Sequence, residues 1–147
     1  MSNNYQQSSF SFDIRSPDEL AFLRALEARA EAADERDEEA DGDVPPFEAS
    51  VIEFDWGWTS EHEATSAAFY AEESCNVEAM VLGLQEFLAK FRGPTETISL
   101  TWANTCDRPL GDSFSGGGVA FTASKAKWID AETAVRTFET QLQAGGD

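Results

Sequence analysis

The residues of this chain that could do chemistry are few, and their spacing decides what they can do. Asp37, Glu39, Asp41, Gly42, Val44 and Glu48 fall at the positions of a calcium-binding loop, with acids at one, three and five, glycine at six and glutamate at twelve. Glu is large for the third position, however, Pro45 and Pro46 stand in the exit region, and a strand rather than a helix is expected to follow. A run this rich in acids produces such spacing by chance, so no metal site is expected. His62 is the one histidine and sits between Glu61 and Glu63 in a polar stretch, read as a surface turn. With no second histidine there is no zinc pattern, and no G-x-S-x-G elbow is present. Cys75 and Cys106 stand in no CxxC pairing and are read as structural thiols. Neither catalysis nor a cofactor is expected.

Two other motifs invite a site and are better read as structure. Gly116, Gly117 and Gly118 follow Ser113-Phe114-Ser115, but the run leads into a strand, where no helix N-terminus can cradle a phosphate, so a flexible hairpin tip is expected. The aromatic set Phe54, Trp56, Trp58 and Trp102 is read as core packing.

What remains is charge. The chain of 147 residues has a net charge of -18. Residues 1–73 hold 19 acids against four arginines, a balance of -15, while residues 74–147 hold nine acids against six bases, a balance of -3. Phosphate backbones and anionic membranes should repel such a molecule, and a basic protein is its natural counterpart. The expected partner-binding carboxylates are Asp34, Glu35, Asp37, Glu38, Glu39, Asp41 and Asp43 in the acidic run, with Glu53 and Asp55 on the strand read after it.

The elements that must position these groups follow from periodicity. Alternation of Phe10, Phe12 and Ile14 predicts a strand over 9–14. Ser16-Pro17 with Glu19 marks a helix start, and Phe22, Leu23, Leu26 and Ala30 continue it to about Arg36. Ile52, Phe54, Trp56 and Trp58 predict a strand over Val51–Trp58; residues 66–72 fit either an Ala-rich helix capped by Ser60 with Glu63 or, as preferred, a second strand returning through Thr59–Ser66 read as a turn. Asn76 opens a helix whose inward face is Val77, Met80, Val81, Leu84, Phe87, Leu88 and Phe91, ended by Gly93-Pro94. Strands at 98–105 and about 118–123 precede a last helix capped by Asp130, with Ala134, Val135, Phe138 and Leu142 turned inward.

The order of these patterns suggests two ββα units in tandem. The expected fold is an α+β two-layer sandwich, a four-stranded mainly antiparallel sheet with two helices on one face, and an N-terminal strand and helix that extend it or pack on its edge. The segments are 1–33 for that strand and helix, 34–46 for an acidic linker and 47–147 for the ββαββα core. No apolar run is long enough to cross a membrane and no basic leader is present, so a cytoplasmic protein is expected. The expected function is that of a non-enzymatic antagonist, a DNA mimic or nuclease-immunity type of protein set against a basic nucleic-acid-handling enzyme. The alternative is an adaptor acting through a sheet face or edge, as a homodimer or on a docked partner.

Overall fold

A computed structural model describes residues 4–35, 44–106 and 115–145. The elements run β1 (Asn4–Asp13), α1 (Pro17–Asp34), α2 (Pro46–Phe54), β2 (Thr59–His62), β3 (Ser66–Ala71), α3 (Val77–Phe91), β4 (Ile98–Cys106), β5 (Ser115–Phe121), β6 (Ala126–Asp130) and α4 (Ala131–Gln143). The fold is α+β, with one antiparallel sheet of six strands in the order β2-β3-β1-β4-β5-β6.

The sheet is wider than the expected four strands, and β1 lies in its middle rather than at its margin. It pairs with β3 through Phe10↔Phe69 and with β4 through Ser8↔Trp102. The reason lies in the alternating aromatics: Phe10 stacks on Phe69 at 5.5 Å, and Phe12 meets Phe87 of α3 at 5.6 Å, so β1 buries one face against the helices. The stretch read as a polar turn forms β2, paired with β3 through Ser60↔Phe69 and His62↔Ala67.

The largest correction falls on Val51–Trp58, which is no strand. Pro46 occupies the first turn of α2, where a missing N–H costs nothing, and Phe47, Ser50 and Val51 make its buried face at helical spacing. Asp55 then takes φ 62° and Gly57 φ 76°, ending the helix and turning the chain. The apparent alternation of Ile52, Phe54, Trp56 and Trp58 therefore spans a helix end and a turn. Trp56 and Trp58 are buried, while Phe54 is 64% exposed. The opening strand of the first ββα unit is therefore β2, formed by the stretch read as a turn, while the second unit carries an extra strand, β6, before its helix.

The remaining helices follow their patterns more closely. Ser16 caps α1 by accepting from the Glu19 N–H, and Asn76 caps α3 by accepting from the Ala79 N–H. Gly83 lets α1 come close, since a Cβ there would stand 2.8 Å from Leu26 Cδ2 and 3.1 Å from the Phe47 ring. The glycines of β5 also have a packing role: a Cβ on Gly117 would stand 2.5 Å from the Trp102 ring. The segment read as a hairpin tip thus supplies a strand over which an indole lies.

Glu19 does more than open a helix. It is buried and ion-paired with Arg92, whose Nε reaches Oε2 at 2.7 Å, and it accepts from the Arg15 backbone N–H. Burial pushes its pKa up, but the hydrogen bonds from Arg92 and Arg15 and the charges of both arginines outweigh that and hold it below its ordinary value of 4.5. For an acid whose folded pKa lies below its unfolded one, the stabilisation is complete above the unfolded pKa and is lost as pH falls through the folded one. Thermal melts of Glu19→Gln against the parent should therefore show the stability gap narrowing as pH drops below about 4. A gap constant from neutral to acid pH would contradict the assignment.

Candidate protein-interaction surface

The described carboxylates expected to meet a partner come together at one end of the molecule. Asp34 and Glu35 finish α1, while Glu53 and Asp55 finish α2. Neither helix has a basic residue in its last turn. Helix C-termini carry partial negative charge, so acids there add repulsion that a lysine or arginine would normally relieve. Asp34 and Asp55 approach closely enough to share a hydrogen bond. The Asp34 pKa is raised, by partial burial first and then by the Asp55 charge and that shared bond, with a Trp56 N–H opposing. Asp37, Glu38, Glu39, Asp41 and Asp43 lie outside the described residues.

The turn after α2 is pinned from beneath. Asn76 Nδ2 donates to the carbonyls of Ser50 at 3.0 Å and Asp55 at 2.9 Å, and the Asn76 N–H donates to Trp56 O at 3.0 Å. Trp58 Nε1 donates to Asn76 O at 3.0 Å. Gly57 packs against the β3–α3 loop so tightly that a Cβ would stand 2.5 Å from Ser74 O. This approach creates an open cleft of about 480 Å³ lined by Gly57, Thr59, Tyr70, Glu72, Glu73 and Ser74. A neighbouring hollow of about 310 Å³, bordered by Phe54, Trp56 and Cys75, shares Gly57 and Ser74 with it. The surface thus sets exposed Phe54 and half-buried Tyr70 among carboxylates.

Among the described residues, no ion pair engages Asp34, Glu35, Glu53 or Asp55. Among the described residues the ion pairs engage other acids: Glu19 and Glu96 with Arg92, Glu96 with Arg15, Glu48 and Glu86 with Arg29, and Glu27 with His62. Arg29–Glu48 ties α1 to α2, and Arg15–Glu96 ties the β1–α1 connection to the α3–β4 connection. Glu48, a member of the calcium-like spacing, is spent on Arg29.

His62 is not a surface residue. Its side chain is 4% exposed, its Nε2 lies 3.0 Å from Glu27 Oε1, and its ring meets Phe69 at 4.9 Å. The pleat decides this, since β2 places His62 on the helix-covered face opposite Ala67. Cys75 is a buried free thiol whose pKa burial pushes up to about 11, which makes it a poor nucleophile at neutral pH. Among the described residues, no three His, Cys, Asp or Glu side chains are grouped to hold a metal ion, and no helix is long and apolar enough to cross a membrane.

Sequence reasoning missed Glu72, Glu73, Phe54 and Tyr70 as parts of this surface. The adjacent acids Glu72-Glu73 were visible, but only the Gly57–Ser74 contact shows that they border the α2 end. No family model, no curated protein and no solved structure matches the chain.

Proposed function

We propose that the chain is a non-enzymatic antagonist whose carboxylate-rich end occupies a basic cleft on a nucleic-acid-handling protein. The observation carrying this reading is the meeting of the α1 and α2 C-termini, which holds Asp34, Glu35, Glu53 and Asp55 on helix ends with no basic residue in either last turn and no ion pair among the described residues. Carboxylates fixed on a scaffold compete for the lysines and arginines that hold phosphates, and the shared field speeds encounter. Phe54 and Tyr70 add the apolar contact that charge alone lacks, and an arginine can stack on either ring.

The test is a variant carrying Asp34→Asn, Glu35→Gln, Glu53→Gln and Asp55→Asn. Both forms are assayed as inhibitors of a panel of nucleases and restriction enzymes with basic clefts, at about 0.1 M and about 1 M salt, where the screening length falls from about 10 Å to about 3 Å. The parent should inhibit at low salt and lose potency at high salt. At about 0.2–1 kcal/mol for each of four charges, the variant should bind about 4- to 1000-fold more weakly. Asp34→Asn alone should leave the free protein as stable or slightly more so at pH 7, because the fold disfavours the ionised form there. Equal potency of parent and variant would overturn the reading.

A further inference from the structure

The opposite end of the sheet has different chemistry. β6 is an outermost strand and has a neighbour on one side only. The other outermost strand, β2, is four residues of Thr, Ser, Glu and His, the short polar kind of edge that resists pairing. β6 instead carries Trp128 and Ile129, both at least half exposed. Its register, Val119↔Trp128 and Gly118↔Ile129, puts Trp128 on the helix-covered face beside Trp102, at 6.2 Å, and Ile129 on the open face.

The following helix corrects the expectation of an inward face. Among the described side chains of α4 only Ala134 is partly buried, and Val135, Phe138 and Leu142 form an apolar stripe 54–70% exposed. A helix of 13 residues without packing is marginal in water. The five exposed side chains present on the order of 500 Å². Spread over both faces of β6 and along α4, the sum is more than half of the about 800 Å² that each partner contributes to a standard interface.

Charge identifies what covers this face. Residues 125–143 hold Lys125, Lys127 and Arg136 against Asp130, Glu132 and Glu139, a balance of zero within a chain of -18. Two copies repel one another when they approach through their acidic ends and do not when they approach here. We propose that β6 and α4 form a two-fold interface with a second copy of this chain, β6 pairing antiparallel with its mate. A two-fold axis normal to the sheet keeps like faces together, so the two Trp128 rings fall on one side and the two Ile129 side chains on the other, and the edges that remain are the two short polar β2 strands. The acidic cleft borders β2 and β3, at the far end of the strand order, so the dimer carries two acidic surfaces pointing away from each other.

The experiment is analytical ultracentrifugation of the full chain from micromolar to sub-millimolar concentration at low and high salt. The expected result is a species of twice 16.1 kDa that holds or strengthens as salt screens the shared negative charge. Phe138→Glu with Leu142→Glu should weaken dimerisation at least tenfold while leaving the far-ultraviolet spectrum unchanged. Should that variant lose helix, hydrogen exchange of the parent reads the same contact, and amides 126–130 should gain protection as concentration rises. A monomer at every concentration, a dimer undiminished in a folded variant, or exchange independent of concentration would overturn the proposal.

Discussion

Asn76→Ala is expected to destabilise the protein by about 3–4 kcal/mol in urea titrations, a large part of the about 5–15 kcal/mol that holds a domain of this size. Asn76 Oδ1 caps α3 through the Ala79 N–H at 3.0 Å and accepts from Ser50 Oγ at 3.3 Å. Losing such a cap costs about 1 kcal/mol. Losing Nδ2 strips the donor from two carbonyls, Ser50 O and Asp55 O, and each group left buried without one costs about 1–3 kcal/mol. Asn76→Asp keeps the cap yet removes both donors and places a carboxylate in a buried site, so it should fare no better. The same substitution frees the α2 end, so inhibition should fall along with stability. A loss below about 1 kcal/mol would show that the polar cluster is not what pins this turn.

Arg92→Met is expected to cost about 3–5 kcal/mol, lowering Tm by about 10 °C. The side chains of Arg92 and Glu19 are only 5% and 4% exposed, and Arg92 Nη2 also donates to Asp13 O at 2.6 Å, joining α3, α1 and the end of β1. The guanidinium lies over the Phe87 ring at 5.2 Å, a face that Met can still cover. The loss comes from leaving the Glu19 carboxylate buried without its cation. Adding Glu19→Gln to Arg92→Met should therefore recover most of it, and a full double-mutant cycle gives the coupling. A double variant as unstable as Arg92→Met alone would place the role of Arg92 in packing.

The two predictions touch the same question from different sides, which is how an acidic chain keeps its acids apart. Glu19 is neutralised inside by Arg92, and Glu48 by Arg29. Asp34 and Asp55 are instead pushed together, and the Asp34 pKa is raised by burial and by its neighbour. Their placement follows from Asn76 and Gly57, residues with no charge of their own.

Much of the scaffold could be read from residue pattern. α1 and α3 are legible because a cap and a stripe of apolar residues at 3.6 spacing agree locally, and β4 because of its alternation, whereas 66–72 fits helix or strand until its likeness to the later sequence favours the strand. Positions 51–58 misled because Ile52, Phe54, Trp56 and Trp58 alternate as a strand would, while Pro45-Pro46 and the helical set Phe47, Ser50 and Val51 pointed the other way. The last helix was found at its true start, but its apolar stripe was assigned to a core that other helices already fill. Period identifies an element; it does not say which neighbour covers it.

By itself the chain determined where its charge lies, that α1, α3 and α4 are helical and that its aromatics must pack together, because these depend on neighbours within a few positions. Only tertiary structure decided that β1 runs through the middle of the sheet, that His62 is buried, that Asp34 meets Asp55 across 21 positions and that the β6–α4 face stays open. Those outcomes turn on which surfaces compete for the same core, and that competition is settled by contacts between residues far apart in sequence.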